Sequence, residues 1–341
     1  MALDPDRRRQ LHGLKLRALT QEHLGADLRE VTGTDVGAVG CAEDSAGQRI
    51  GVALAEERPE RGLGAALASA RRYGVGELHV FAAARAGVLA RRAELFEFPV
   101  HVWGLSGRSA HRADAHVHVA APVPPEVPEL IVLLELADVD VIVEHGTVIG
   151  EVQGLEVARV VADEDGHRLE VGVGAHDREA FGLLHGDVPT PDAIRQVATL
   201  VRSHRAPGAD PHPLNRLGAE RWLRARLIER PALVGAARLA PAEPPVVRTN
   251  LKEPVPAVAR GVDERGVPMV VVTSVGVDLD LVPFAADAQA SGGDSADLVI
   301  AVPARDAHEV TLAMAQWLRA PARVVAVDDR WREWSDGSSL A

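Results

Sequence analysis

Two stretches of the chain alternate short apolar runs with helical patterns, and this alternation limits the folds that are open to it. The first stretch has apolar runs at Leu78–Phe81 and Pro99–Trp103, with a helical pattern between them. The second has runs at Leu298–Val302 and Val324–Val327, again around a helical pattern. A strand, a crossover helix and a second strand in this order predict a parallel βαβ unit. We therefore expect an α/β (α+β) protein whose sheets are covered by helices.

A β-hairpin is predicted before the first of these stretches. The segments Val36–Ala42 and Arg49–Ala55 have the pattern of strands, and Ser45–Gln48 has the composition of a turn. A helix is predicted before the hairpin over residues 7–31, with Leu24, Leu28 and Val31 on one face. The N-terminal part of the chain is thus predicted to be a hairpin followed by a βαβ unit.

The two βαβ stretches also resemble each other. An arginine falls seven residues after the first strand leucine in both, as Leu78 with Arg85 and Leu298 with Arg305. In both stretches a proline opens the following strand. An internal duplication would explain this pattern, and chance similarity between two alanine-rich βαβ stretches is the alternative.

Two proline-rich segments, Ala120–Pro128 and Pro241–Pro256, divide the chain into three predicted modules. They are an N-terminal α/β module over residues 1–120, a mixed middle segment over 129–240 with a basic helical region, and a C-terminal βαβ module over 257–334. In the middle segment we expect a helix at Ala219–Glu229 and strands in the runs Leu130–Val143, Leu155–Val161 and Leu169–Val173.

Composition restricts the cellular setting that can be expected. The chain has 341 residues, a formal net charge of −12 and one cysteine, Cys41, so neither an internal disulfide nor a thiolate zinc cluster can form. The first residues have no apolar core and predict no secretory signal. The apolar run at 130–143 contains Glu135, Asp138 and Asp140 and is too short to cross a membrane. A cytoplasmic location without membrane contact is expected.

One stretch, residues 195–230, has the opposite charge to the rest of the chain. Its eight arginines and three acidic residues leave a local charge of +5. Guanidinium groups bind phosphate and carboxylate groups with paired hydrogen bonds, and they stack on aromatic rings. The stretch therefore predicts a site for nucleic acid or another polyanion, formed by Arg202, Arg205, His212, Asn215, Arg216, Arg221, Trp222 and Arg224. The alternative is a solvated helix face or a protein-contacting surface.

A pair of carboxylates at Asp278 and Asp280 suggests a divalent-metal site. On a strand, residues two apart share a face, so the two carboxylates would project together while Val277, Leu279 and Leu281 would face the core. Carboxylate oxygens are ligands that divalent cations prefer. The alternative is the charged outer face of an edge strand, where charge prevents pairing with another sheet.

The N-terminal module resembles the PD-(D/E)XK nucleases, the restriction-endonuclease-like fold, in the order of its elements. That family pairs an Asp at the start of a hairpin with Glu-x-Lys on the returning strand. Here Asp35 opens the hairpin, and the returning strand ends in Glu56-Glu57-Arg58. The resemblance covers about a third of the chain and implies that Asp35 lies near Glu56 or Glu57. Arginine stands where the family has lysine, and it remains protonated, so the resemblance implies a catalytically degenerate member.

Other signatures of common enzymes are missing from the sequence. It contains no Walker A loop, no Gly-x-Gly-x-x-Gly after a strand and no Gly-x-Ser-x-Gly elbow. In overall composition the chain is similar to conserved proteins of high-GC actinobacteria, a resemblance that implies a cellular setting and no activity. No cofactor is predicted beyond the alternative of a divalent metal.

Three functional hypotheses follow from the sequence. The first is a degenerate nuclease-like protein that binds nucleic acid or another polyanion. The second is a non-enzymatic structural or protein-interaction protein. The third is a metal-dependent hydrolase that uses Asp278 and Asp280. The sequence favours a protein without catalytic activity and leaves the partner open.

Overall fold

The computed structural model describes residues 4–34, 36–107, 109–119, 121–122, 127–164, 166–174, 177–179, 190–248, 253–292 and 296–334. By compactness the chain divides into two units. The first comprises Met1–His118, Asp278–Ser291 and His308–Arg323, and the second comprises Val119–Val277, Gly292–Ala307 and Val324–Ala341. The protein has a mixed α/β architecture, so the predicted fold class is confirmed. The three modules proposed from the proline-rich segments remain a prediction.

The first unit contains a six-stranded sheet in which the strands lie side by side in chain order. Strands β1 to β3 form an antiparallel meander, β4 and β5 continue it in parallel, and β6 returns antiparallel. The strands are β1 Asp27–Thr34, β2 Gly37–Glu43, β3 Arg49–Ala55, β4 Leu78–Ala82, β5 Val100–Ser106 and β6 Ser109–Arg112.

The predicted hairpin is confirmed in its strands and its turn. Glu43 pairs with Arg49 next to the turn, and Gly37 pairs with Ala55 at the open end. The Asp44 carboxylate accepts hydrogen bonds from the backbone N–H groups of Ala46 and Gln48 at 2.9 and 2.8 Å, which stabilises the turn.

Among the described residues, the first unit has the α-helices α1 Pro5–Leu24, α2 Leu63–Tyr73 and α3 Ala86–Ala93, and from the C-terminal part of the chain α7 Leu281–Ala290 and α8 Glu309–Ala315. The helix predicted over residues 7–31 is wrong beyond Leu24. Gly25 adopts a left-handed conformation with φ 60°, which ends α1, and the chain continues as β1. Leu16, Leu19, Leu28, Ile50, Leu54 and Phe81 form the core between α1 and the sheet.

The second unit contains two sheets. The four-stranded sheet is antiparallel in the order β10-β9-β8-β7, and the five-stranded sheet runs from β11 to β15. Their strands are β7 Asp140–Glu144, β8 Thr147–Val152, β9 Leu155–Asp163, β10 Gly166–Val171, β11 Arg238–Ala242, β12 Ala257–Val262, β13 Pro268–Thr273, β14 Asp297–Pro303 and β15 Ala322–Val327. The first two residues of β15, Ala322 and Arg323, are assigned to the first unit.

The described residues of the second unit include the helices α4 Pro128–Leu136, α5 Pro191–Arg205 and α6 Ala219–Glu229. The strand predicted over Leu130–Val143 is therefore wrong for its first half, which is α4. Pro128 lies in the first turn of that helix, where its missing N–H is tolerated. The helix predicted at Ala219–Glu229 is confirmed, and it packs on strands β11 to β13.

The N-terminal and C-terminal sheets share an order of elements. In each, three antiparallel strands are followed by a helix, a strand parallel to the third one, a second helix and a further strand. Within the first unit, Phe96 and Leu318 form an isolated antiparallel bridge. Two hydrogen bonds flank that bridge, from Glu97 N–H to the Trp317 carbonyl at 2.8 Å and from Arg319 N–H to the Leu95 carbonyl at 2.9 Å.

No helix among the described residues combines the length and the apolar character that crossing a membrane requires.

Candidate functional site

Much of the basic stretch 195–230 is buried and does not form the binding surface predicted for it. Arg221 and Arg224 project from α6 into the interior of the second unit and are only 5% and 2% exposed. The Arg221 guanidinium donates hydrogen bonds to the carboxylates of Glu144 and Glu151. Arg224 donates to the second oxygen of Glu151 at 2.6 Å. The prediction of an exposed binding surface is therefore wrong for both arginines, because glutamates from β7 and β8 neutralise them.

Arg205 and Trp222, also predicted to bind a partner, are buried together. The Arg205 guanidinium lies 4.6 Å from the centre of the Trp222 ring and donates to the carbonyls of Gln153, Leu214 and Leu217. Trp331 packs edge-on against Trp222 with its ring centre 5.4 Å away. Trp222 therefore has no exposed face for a nucleotide base, and its predicted stacking role is wrong for this reason.

The other predicted binding residues lie at the end of α5 and in the turn that follows. Arg202 donates to the Asp138 carboxylate at 3.0 Å. The His212 ring stacks on His204 with 3.7 Å between ring centres, and Asn215 Nδ2 donates to the His204 carbonyl at 2.9 Å. The side chain of Arg216 is exposed. His212 and Asn215 thus hold the turn against the end of α5, and binding of a partner by these residues stays a prediction.

Electrostatics in the interior of the second unit favour charged side chains. Burial by itself raises the pKa of Glu151, but Arg221 and Arg224 outweigh it and hold that pKa below its usual value. The hydrogen bonds of Arg205 described above go to backbone carbonyls and not to a carboxylate. Burial lowers the pKa of Arg205 to about 9. The arginines and glutamates of this region therefore form a buried ion-pair network, whose members depend on one another.

Asp278 and Asp280 lie in a loop before α7, not on a strand as predicted. Val277 and Leu279, expected in the core, are 56% and 37% exposed, whereas Asp280 is 4% exposed. Asp278 accepts a hydrogen bond from Arg61 at 2.7 Å. Asp280 accepts from Arg92 at 2.9 Å and from the backbone N–H of Gly64 at 3.0 Å. The strand prediction is wrong because the chain already turns here to begin a helix.

Arg92 is the centre of a second buried network, inside the first unit. Its guanidinium donates to Asp280 and, at 2.9 Å, to Asp287 of α7, which also accepts a hydrogen bond from Arg91 at 2.8 Å. Burial raises the pKa of Asp280 to about 6, although Arg92 opposes this shift. Asp280 and Asp287 thus join the start of α7 to α3, and their oxygens accept hydrogen bonds from Arg91, Arg92 and the backbone N–H of Gly64.

The nuclease-like carboxylates lie at the end of β3. The backbone N–H groups of Glu56 and Glu57 both donate to the Val36 carbonyl at 3.0 Å. Lys15 of α1 donates to the two oxygens of Glu56 at 2.9 and 2.6 Å. An ammonium group therefore lies beside Glu56, from a residue that is 41 positions earlier in the sequence. Asp35 lies outside the described residues, so its distance from Glu56 stays a prediction.

A cluster that sequence analysis missed joins Glu77, His79 and His101. The two histidines are register partners on the neighbouring strands β4 and β5. His79 Nε2 lies 3.4 Å from one oxygen of Glu77, and His101 Nε2 lies 3.3 Å from the other. The three ligand atoms lie within 4.8 Å of one another, close enough for a metal ion.

Hydrogen bonds to the other ring nitrogens decide what the cluster can bind. Trp103 donates to His79 Nδ1 at 3.1 Å, and Arg112 lies 2.9 Å from His101 Nδ1. Tryptophan and arginine are donors only, so both Nδ1 atoms accept and each ring proton of a neutral imidazole is on Nε2, facing Glu77. Metal-bound histidines instead donate their second N–H to an acceptor. This donor set therefore does not fit a metal ion on Nε2.

The sequence did contain a signal for this cluster. Leu78-His79-Val80-Phe81 and Val100-His101-Val102-Trp103 have histidine at the same place in two successive strands. Parallel neighbouring strands bring such positions together. Burial is the main reason why the pKa of His79 lies below its usual value, and this favours the neutral ring that the Trp103 hydrogen bond requires.

No protein-family model, curated protein or solved structure matches the chain. The site is therefore interpreted from its geometry.

Proposed function

We propose that this chain is a non-enzymatic protein that works by binding other proteins. The observation that carries the proposal is that the side chains suited to catalysis are bonded to partners within their own unit. Asp278 is paired with Arg61, Asp280 with Arg92, and Glu56 with Lys15. A cytoplasmic setting is part of this proposal.

The energetics of these pairs support a structural role for them. If a metal ion took Asp280 as a ligand, Arg92, which is 1% exposed, would lose one of its two carboxylate partners and keep Asp287. A buried charge that loses its partner completely costs about 3 to 5 kcal/mol, and the remaining bond to Asp287 makes the cost here smaller. Metal binding at Asp278 and Asp280 would therefore have to overcome this cost, which opposes the metal-dependent hydrolase hypothesis.

Hydrolysis assays test the proposal directly. The purified chain is incubated with plasmid DNA, a labelled RNA and a small phosphodiester in millimolar magnesium or manganese. We expect hydrolysis rates equal to those measured in buffer without protein. Turnover that is lost in Glu56→Gln or in Asp278→Asn/Asp280→Asn, and kept in the exposed control Arg265→Gln, would overturn the proposal.

One observation favours a second function, a catalytically degenerate nuclease-like protein that binds nucleic acid or another polyanion. The Lys15 ammonium contacts both oxygens of Glu56, the carboxylate that the resemblance assigns to the returning strand. The order of strands β1 to β4 and of helices α1 and α2 agrees with the outline on which the resemblance was based.

Binding assays separate this second function from the first. Polyanion binding through Lys15 would weaken steeply with salt because counterions are released from the nucleic acid. The measurement is fluorescence anisotropy of single-stranded and duplex oligonucleotides at several salt concentrations. Salt-dependent binding that Lys15→Gln reduces, with Arg265→Gln unchanged, would support the nuclease-like function, whereas no binding at low salt would remove it.

A further inference from the structure

The exposed face of α1 has the strongest local positive charge of a helix in the first unit. Residues 7–17 contain Arg7, Arg8, Arg9, Lys15 and Arg17 and no acidic residue, which gives +5 in a chain of net charge −12. Unlike the arginines of α6, most of these side chains are exposed. The helix also exposes two leucines, Leu11 at 45% and Leu14 at 63%. Its outer face therefore combines positive charge with apolar surface.

A groove of about 490 Å³ lies between α1 and β1, and we call it the α1 groove. Glycines allow the helix and the strand to approach closely at its base. A Cβ atom at Gly33 would lie 2.2 Å from the Arg9 carbonyl, and one at Gly13 would lie 3.6 Å from Val31. Leu14 and Val31 supply apolar walls, and Arg9 and Arg17 also line the groove.

The positions of the two arginines define a spacing along the groove. Arg9 and Arg17 are eight residues apart on α1, which corresponds to about 12 Å along the helix axis. Arg17 donates to the Leu28 carbonyl at 3.2 Å, which fixes its side chain against β1. Arginine has five N–H groups, so this one bond leaves others for a carboxylate. Arg9 forms an exposed ion pair with Asp6 at 3.6 Å, a type of pair that contributes little stability.

We propose that the α1 groove binds an acidic, extended peptide segment of a partner protein. This proposal rests on the proposed protein-binding function and specifies the class of partner. In an extended peptide, residues i and i+4 are about 13 Å apart and project to the same side, as does residue i+2. Acidic residues at i and i+4 then face Arg9 and Arg17, while an apolar residue at i+2 enters the groove beside Leu14. The peptide pattern is acidic-x-apolar-x-acidic.

The concave shape of the α1 groove favours this occupant over other anionic partners. A membrane surface or a phosphate backbone would contact the arginines, but neither places a single apolar side chain into a groove with glycines at its base. A peptide does both, because its backbone carries charged and apolar side chains at fixed intervals. The net negative charge of the chain also repels long polyanions more strongly than it repels a short peptide.

A peptide titration tests the proposal with the full chain. A labelled peptide containing Glu-Ser-Leu-Ser-Glu between Gly-Ser flanks is titrated at low salt and followed by fluorescence anisotropy. An isomer of the same composition, with the two glutamates adjacent, is the matched ligand control. We expect the first peptide to bind and the isomer to bind at least several-fold more weakly.

Variants of the chain assign the binding to the α1 groove. Arg9→Gln/Arg17→Gln removes both charges and should weaken binding about tenfold. Leu14→Ala should weaken it several-fold by removing apolar contact. Arg72→Gln/Arg265→Gln removes two exposed arginines elsewhere and should leave binding unchanged. Circular dichroism and melting curves establish that each variant is folded.

Three results would overturn the proposal. They are equal binding of the peptide and its isomer, no binding of either, or tighter binding of phosphatidylserine vesicles or an oligonucleotide through the same two arginines. Each would leave the proposed non-enzymatic function standing if the hydrolysis assays show no turnover. Turnover in those assays would overturn that function and would leave a positive peptide result intact.

Discussion

At the scale of single residues, Arg221 shows how burial changes the meaning of a charge. It is bonded to Glu144 and Glu151, and it is 5% exposed. In Arg221→Gln, the buried carboxylates of Glu144 and Glu151 would lose one ion-pair partner and keep Arg224. We expect the free energy of unfolding to fall by about 3 kcal/mol or more, measured by urea denaturation. Arg216→Gln, at an exposed position of the same stretch, should change it by about 0.5 kcal/mol or less. Similar losses in both variants would contradict the buried network.

The sequence could predict the charge of this stretch but not the environment of its members. The α6 helix was predicted with its correct bounds, and the arginine positions on it follow. Glu144 and Glu151, however, come from strands about 70 residues earlier. The packing of the sheet on the helix decides which arginines these distant glutamates contact. No local sequence pattern contains that information. The same holds for Lys15, which reaches Glu56 across 41 positions.

Asp280 predicts a specific pH dependence. Its pKa in the folded protein is raised to about 6 from an ordinary value of 3.8, so the folded state holds this proton more tightly than the unfolded chain does. The resulting stability is present below pH 3.8 and is lost as the pH rises through 6. Asp280→Asn lacks this component. As the pH rises from 4 to 7, the free energy of unfolding of the wild type should fall by up to about 3 kcal/mol more than that of Asp280→Asn. Urea denaturation across this range measures the difference, and a difference independent of pH would contradict the assignment.

At the scale of elements, the start of α2 depends on a glycine. A Cβ atom at Gly64 would lie 1.9 Å from the Leu279 carbonyl, in the loop that precedes α7. Gly64→Ala should therefore displace that loop and lower the free energy of unfolding by about 1 to 3 kcal/mol. Gly76→Ala is the matched control, because no atom of the described residues lies within 4 Å of a Cβ atom placed at Gly76. Thermal melts of both variants test this, and equal melting temperatures would be inconsistent with the close approach.

Elements with clear patterns were predictable, and errors occurred where one pattern fits two structures. Strands β2, β3, β4 and β14 follow apolar runs between turn residues, and the structure has them nearly as predicted. The run Leu130–Val143 is mostly apolar, so periodicity could not separate helix α4 from strand β7. The helix predicted over residues 7–31 continued into β1 because Leu24, Leu28 and Val31 also satisfy helical spacing. Gly25 was the signal that this helix ends earlier.

At the scale of the whole molecule, internal duplication stays a prediction, and the shared order of elements agrees with it. Pro99 and Pro321 directly precede β5 and β15, so Phe96 and Leu318, each three residues earlier, are equivalent positions. These two residues are bridge partners, and the hydrogen bonds on either side of the bridge are also counterparts of each other. These equivalent contacts support the predicted duplication, which stays a prediction.

The response of the whole chain to metal ions provides a final test of the site assignments. A metal that binds only the folded state raises the melting temperature by mass action. We expect no rise in millimolar magnesium or manganese, because Asp278 and Asp280 are held by Arg61 and Arg92. We also expect none in micromolar zinc, because both histidine Nδ1 atoms of the Glu77 cluster accept hydrogen bonds from donor-only groups. A rise that Asp278→Asn/Asp280→Asn abolishes would return the hydrolase hypothesis to consideration. A rise in zinc that His101→Gln abolishes would show that Trp103 and Arg112 give up these bonds when metal binds.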